Sequence, residues 1–437
     1  MPLPEGWLTG WMREWNRATR RRALLVAAAV GLTVAIQGGL RLGGVFTQSD
    51  TTHYLHLAAG RAAMMPFASR QLGPLVVRGL TRLGTSVPHG YLIEGLAALV
   101  FFFVGVMWLL VRSGVQRWML WAVAGMFFWT AQFNALVLPD LFYGALLCGF
   151  LLLLRRGWVM AAAVMMLPLA VARESTVLVL VCFVVAGWRV LRWREVGVAV
   201  GSFGAGTLVV RHLAANALAN QEHIPAALYL FAKMPWNFLK NFAGLNPWAN
   251  VYPACSDPMW QHALNAGPLH AVGYCGFVPE LPVRLVGCAL ASFGLLPLLL
   301  WRVRRVNAWM GGREDLMVRF SVVYGCVAFC MAWLLGDSVL RLFEYGWPVF
   351  FVALPVGMGR LGVGFRAGGW AGGVVAVHLA MTWAVGWIGG WGLLGVECVG
   401  VVAGWWALSV MGEFDALNSG ADRGHQPLQN LEPSRNG

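Results

Sequence analysis

The chain has 437 residues, of which 59% are hydrophobic and only 12% charged, and it carries 23 Trp and 24 Phe. A soluble domain of this length carries about a quarter charged residues, so a soluble globular protein is excluded, and the continuous rather than alternating apolar runs exclude a membrane β-barrel. The formal net charge of +13 is spread over short loops between those runs, which is the bias of a membrane protein toward basic cytoplasmic loops rather than the footprint of a nucleic-acid surface.

Met1 to Arg22 sets Trp7, Trp11 and Trp15 on one helical face and ends in Arg17, Arg20, Arg21 and Arg22. It reads as an interfacial amphipathic helix on the cytoplasmic side, too polar for a signal peptide. Residues 23–40 form the first span, and 41–90 a non-cytoplasmic loop with short surface helices. Further apolar runs at 91–111, 118–137, 141–154, 158–171, 176–188 and 196–215 read as spans, since a crossing needs roughly 20 apolar residues. The runs at 158–171 and 176–188 are short, which predicts a broken helix or a thinned bilayer. Residues 216–282 form a long ordered far-side loop, after which 283–300, 316–335, 345–358, 370–388 and 393–410 complete about a dozen crossings.

The basic loops 112–117, 155–156, 189–195, 302–313 and 360–366 all fall on the N-terminal side, so one orientation satisfies every loop. The expected fold class is all-α: one polytopic transmembrane bundle over 1–415 and a polar, disordered cytoplasmic tail over 416–437. Ala-, Gly-, Arg- and Trp-rich usage points to a bacterial inner membrane with both termini cytoplasmic. No internal repeat is visible, which lowers the expectation of a two-halved transporter. The eight cysteines show no metal-ligand spacing; six lie in apolar runs, while Cys255 and Cys275 lie in the polar loop and would pair if it faces an oxidising compartment.

This topology collects polar residues on the far side. Asp50 with His53, Tyr54 and His56 follows the first span, Arg70 and Arg78 follow in the same loop, Asp140 stands after Pro139, Arg173-Glu174 breaks an apolar run, and Asp337 and Arg341 end another. Ionisable groups at membrane depth face a cavity or one another, so four hairpins converging there would supply carboxylates for proton transfer and arginines for phosphate. Each also has a structural role: Asp50 and Asp140 as helix caps, Arg173 with Glu174 and Asp337 with Arg341 as local ion pairs, and the loop arginines as snorkelling side chains. Asp50-His53-His56 covers too wide an arc of a helix for three-point metal coordination without a further ligand such as Glu174 or Asp140.

The stretch Ser49-Asp50-Thr51-Thr52-His53-Tyr54, then Ala58-Ala59-Gly60, Pro66-Phe67 and Arg70-Gln71-Leu72-Gly73-Pro74, with a second acid at Pro139-Asp140, resembles the GT-C superfamily of membrane glycosyltransferases. In the first loop it is similar to protein O-mannosyltransferases and aminoarabinose transferases, with Thr51 where a second acid is usual. The resemblance implies inverting transfer of a sugar from a polyprenyl-phosphate donor to a glycan, lipid or protein acceptor at the periplasmic face. By the same resemblance Asp50 is the base, Asp140 orients donor or acceptor, and Arg173 and Arg341 take the lipid phosphate. Glu174, Asp337, Arg70, His53 and Tyr54 complete the candidate site; no cofactor is required by these residues, and a divalent metal is left open. The competing classes are a transporter or flippase for a lipid-linked or small anionic substrate, a glycan polymerase or ligase, and a membrane scaffold.

Overall fold

A computed structural model of the chain describes residues 49–115, 117–127, 138–218, 234–235, 237–247, 274–277, 280–302, 315–335, 339–360, 368–388, 392–399 and 401–402. The N-terminal amphipathic helix, the first span, most of the 216–282 loop with Cys255, Asp337 and the 416–437 tail lie outside these residues.

The described chain is helical. Two short helices come first, α1 (Ser49–Ala58) and α2 (Leu72–Arg82), joined through a 3-10 turn at Phe67–Ser69. They are followed by α3 (Val87–Arg112), α4 (Arg117–Phe127), α5 (Pro139–Arg155), α6 (Val159–Val164), α7 (Met166–Ala172), α8 (Thr176–Gly187) and α9 (Trp193–Leu213). After the long loop come α10 (Glu280–Phe293), α11 (Leu296–Arg302), α12 (Leu316–Leu335), α13 (Val339–Phe343), α14 (Leu354–Arg360) and α15 (Gly368–Trp387). The all-α expectation needs one addition: β1 (Leu245–Pro247) pairs antiparallel with β2 (Tyr274–Phe277), Leu245 opposite Phe277, so the middle of the long loop meets its C-terminal part.

Four helical stretches among the described residues are long and apolar enough to cross a membrane: Val87–Arg112, Trp193–Leu213, Leu316–Leu334 and Val339–Arg360. Several expected spans differ from this in length. The run at 158–171 is broken between α6 and α7, and that at 283–300 is split at Gly294, whose φ of +53° turns the chain between α10 and α11. The run expected at 345–358 is longer, because α13 starts at Val339 and continues through a 3-10 turn and a π-helical stretch (Pro348–Ala353) into α14. Arg341, expected between the spans 316–335 and 345–358, is therefore on a helix continuous with the second. The wide π turn packs against Gly325 of α12, where an added Cβ would stand 2.5 Å from the backbone nitrogen of Val349. Only glycine allows that approach.

Apolar side chains cover the outside of the bundle as well as filling its core. Phe102, Val106 and Leu109 of α3 point inward, while Phe101, Val104 and Val111 of the same helix are nearly half exposed. Val177, Val181 and Val185 of α8 and Val200 and Leu208 of α9 are exposed as well. Phe150 of α5 anchors the interior, edge-on to Phe183 and Phe320 at 5.6 and 4.9 Å. An apolar exterior around a partly polar interior suits a lipid solvent, in which backbone polar groups are satisfied within helices.

The helices share two ends. At one, the Arg155 guanidinium donates to the Arg112 carbonyl at 3.3 Å, the end of α14 lies against Gly114, and Arg360 pairs with Asp315. At the other, the Gln71 amide donates to the Val171 carbonyl at 3.0 Å and the Leu218 amide donates to the Ala63 carbonyl at 3.1 Å, docking the first loop on α7 and on the segment that follows α9. α3, α5 and α13 all begin at this second end.

Candidate functional site

The second end holds a network of charges drawn from segments far apart in the sequence. Pro139 and Asp140 open α5, with Leu138 as the N-cap. Pro suits a helix's first turn because its missing N–H has no intrahelical partner there, and an acid in that turn complements the helix dipole. Asp140 is only 1% exposed. Its partner Arg173 sits at the break between α7 and α8 in an extended conformation (φ −161°, ψ 141°), which takes its backbone out of the helix. The Thr176 hydroxyl donates to the Arg173 carbonyl at 2.8 Å and stabilises the break.

The Arg173 guanidinium donates to Asp140 Oδ1 and to the Tyr345 hydroxyl, and Tyr345 donates to the same Asp140 oxygen. The guanidinium also lies over the Tyr345 ring, 4.6 Å from its centroid. A buried charge is tolerated when it is paired and hydrogen-bonded, and this triangle meets that condition on one side of the carboxylate. Among the described residues Asp140 Oδ2 has no hydrogen-bond partner; it faces Arg341 Nε, also without one there, at 3.7 Å. Arg341 Nη1 lies 3.7 Å from Asp50 Oδ2. Arg341 thus stands between two carboxylates and is closely bound to neither.

A second pair braces the first loop. Arg70 grips Glu174 bidentately, Nη2 to Oε1 at 2.6 Å and Nε to both oxygens at 3.1 Å, while the Ser69 hydroxyl donates to Oε2 at 3.2 Å. Arg70 Nη1 donates to the Tyr54 hydroxyl at 2.8 Å, and Tyr91 of α3 donates to the Tyr54 carbonyl at 2.8 Å. Burial opposes the charged form of Glu174, but the Arg70 guanidinium overrides it and holds the carboxyl at about 2. Burial likewise opposes the charge on Arg70, and the Glu174 carboxylate holds it firmly protonated. Burial pushes the Tyr54 phenol up, against the pull of Arg70.

The structure therefore brings Asp50, Asp140, Arg173, Glu174, Arg341, Arg70 and Tyr54 into one network. Asp337 lies outside the described residues. The local Arg173–Glu174 pair weighed from the sequence does not form: Arg173 turns to Asp140 and Glu174 turns to Arg70, while among the described residues Arg341 faces Asp140 and Asp50. Arg70 is 9% exposed and so is not a snorkelling side chain. Asp140 is in the first turn of its helix rather than at the cap, and Asp50 lies inside α1. His53 stacks on Phe67 with ring centroids 4.4 Å apart. Among the described residues no group of three His, Cys, Asp or Glu is placed to hold a metal ion.

Two participants escaped the sequence reading. Tyr345 opens the expected span 345–358, and it follows Arg341 by four residues and so shares its helix face. Ser69 lies between Phe67 and Arg70 of the first loop, and its spacing carries no signal of its own. The two carboxylates with exposed side chains differ in how they are held. Among the described residues Asp50 (36%) has one loose contact, whereas Glu174 (37%) is tied by Arg70 and Ser69. Asp50 is thus the accessible carboxylate that the network leaves untied. Compared with known proteins, the chain matches no family profile and no curated protein.

Proposed function

We propose that the chain is a polytopic membrane glycosyltransferase of GT-C type, moving a sugar from a polyprenyl-phosphate donor to an acceptor at the periplasmic face. The observation that carries this reading is Asp50: an open carboxylate 3.7 Å from an arginine that also faces a buried acid. The acceptor hydroxyl gives its proton to Asp50 as its oxygen attacks the anomeric carbon. The bond from that carbon to the phosphate oxygen breaks, and its electrons leave with the polyprenyl phosphate. Arg341, with its side chain 20% exposed, is the cation placed to neutralise that leaving group.

The geometry divides the remaining roles. Arg173 and Asp140 are nearly sealed from solvent, so they act as positioning residues, holding Arg341 through Asp140 rather than touching substrate. Arg70, Glu174 and Tyr54 fix the helix that presents Asp50. The basic ends of α3, α5 and α14 would face the cytoplasm, which puts the network on the opposite side. A transporter is less favoured because the charges gather at helix ends rather than at the middle of the spans.

The test is transfer in proteoliposomes from a panel of polyprenyl-phosphate hexoses and pentoses to water-soluble and lipid acceptors. Asp50→Asn is expected to lower turnover by about 10²–10⁴-fold, the usual contribution of a general base, with unfolding changed by about 1 kcal/mol or less, as for an exposed, loosely held pair. Full turnover in this variant, or no transfer by the wild-type chain from any donor on the panel, refutes the proposal.

A further inference from the structure

Two ionisable side chains in the last helical stretches take no part in the charge network. Between Arg366 and Glu413 the chain carries no Asp, Glu, Lys, Arg or His except His378 and Glu397. His378 lies on α15 and is fully buried; Glu397 lies in the helical stretch 392–399 and is 2% exposed. Both ring nitrogens of His378 and both carboxyl oxygens of Glu397 are buried without a hydrogen-bond partner among the described residues. An acid or base inside a membrane is costly, and those that persist pair with one another or mark a path for substrate or protons.

Both groups are set against one face of α10. Glu397 faces the backbone of Gly287, and His378 that of Ala291. Residues four apart share a helix face, at about 6 Å along the axis. α10 ends just beyond, where Gly294 turns the chain at φ +53°. A Cβ added there would stand 2.5 Å from the Val374 carbonyl and 3.3 Å from His378 Cβ, so α15 lies close against this break. The last carbonyls of a helix have no intrahelical partner. That of Ala291 accepts from the Thr382 hydroxyl at 3.3 Å and faces the His378 ring as well. The ring also faces the Met126 carbonyl of α4.

A neutral imidazole has one N–H to donate, and an imidazolium has two. Two carbonyls facing His378 therefore suit a ring that takes up a second proton. A carboxylate left alone in an apolar interior neutralises by holding a proton. We propose that Glu397 and His378 form an intramembrane proton-binding pair that holds one proton and exchanges it between them. The carboxyl O–H bond breaks, an N–H bond forms on the ring, and the net charge of the pair stays zero. A proton suits these groups better than a metal ion, because among the described residues no third His, Cys, Asp or Glu completes a ligand set. The other titratable groups nearby reach Glu397 through Cys288 of α10, which senses Glu397, Arg284 and Glu344. His378 meets only Thr382 and the backbones of Ala291 and Met126. The pair does not depend on the glycosyltransferase reading.

The experiment is infrared difference spectroscopy of the full chain in lipid nanodiscs, titrated from acid to alkaline pH. Subtracting the Glu397→Gln spectrum from that of wild type is expected to leave one protonated-carboxyl band at neutral pH. Asp315→Asn, which removes an ion-paired acid, should leave that band in place. His378→Gln should move the pH at which the band disappears by about one unit or more, since strongly interacting groups titrate as a pair. A carboxyl with a purely structural role would titrate without regard to the ring. Nitrogen-15 labelling of histidine in the wild-type chain reads the same coupling without a variant: one ring should change protonation where the Glu397 band changes. Glutamine is the neutral isostere of the protonated acid, so Glu397→Gln should melt as wild type does. Absence of the band, a band indifferent to His378, or failure of Glu397→Gln to fold overturns the proposal.

Discussion

The two ends of the bundle hold arginines under opposite conditions. At the network end Arg70 and Arg173 are 9% and 5% exposed and are met by Glu174 and Asp140 across 104 and 33 residues of sequence. At the other end Arg112, Arg156, Arg189, Arg192 and Arg194 are exposed, and the contacts of Arg112, Arg155 and Arg156 include indole rings and a backbone carbonyl. Basic residues of the second kind are what membrane orientation alone would place there. Basic residues of the first kind are not, because each buried charge needs a partner positioned by a different helix. The contrast separates charge that sets topology from charge that builds a site.

Removing one buried partner should give the largest effect. Arg173→Met leaves Asp140 charged with its main partner gone, and the expected loss is about 3–5 kcal/mol. The double variant Asp140→Asn with Arg173→Met removes both charges of the pair and should recover a large part of the loss. Both are read from denaturant unfolding in detergent micelles, followed by tryptophan emission. A single-variant loss below about 1 kcal/mol would place Arg173 among the topological arginines and erase the contrast.

The Arg70–Glu174 pair is intermediate, since Glu174 is partly open to solvent. Glu174→Gln should cost about 1–3 kcal/mol, the range for hydrogen bonds to a charged group, which is less than the loss for Arg173→Met. Its pH dependence has a definite sign. The Glu174 carboxyl is held down at about 2 in the folded chain, whereas an unfolded glutamate titrates near about 4.3. The native state therefore binds the proton more weakly. The stabilisation is complete above about pH 5 and is lost as pH falls through 4 toward 2. Unfolding measured from pH 6 to pH 2.5 should show wild type losing stability faster than Glu174→Gln. Parallel curves would mean that solvent screens the pair as it does a surface pair.

What the sequence made legible follows from the range of each signal. Apolar runs and basic loops are local, and they located the boundaries of α3, α5, α8 and α12 to within a few residues. They also assigned Asp50, Asp140, Arg173 and Arg341 to one side of the chain. Partner choice is not local. Nothing in the spacing says that Arg173 turns to Asp140 instead of its neighbour Glu174, because that depends on the extended backbone at residue 173 and the docking of Gln71 on Val171. Arg341 falls between the expected spans 316–335 and 345–358 because Val339–Phe343 is a short helix whose apolar pattern starts outside the second run. The helical spacing from Arg341 to Tyr345 was nevertheless present in the sequence, and taking 339–360 as one helix would have exposed it.

The smallest effect is expected at the basic end, and it sharpens the comparison most directly. Asp315 and Arg360 form an ion pair there, with side chains 16% and 39% exposed. Counted as a salt bridge it resembles Arg70–Glu174, but its arginine is open to solvent where Arg70 is buried. Exposed pairs contribute about 0–1 kcal/mol, and what they contribute is screened by salt. Asp315→Asn should therefore change unfolding by less than about 1 kcal/mol, with the difference shrinking further between low and high salt. Arg173→Met, whose partner is buried, should keep nearly its full cost across the same salt range. A salt-insensitive loss of several kcal/mol for Asp315→Asn would make the basic end a built site as well, and exposure would then no longer distinguish the two kinds of arginine.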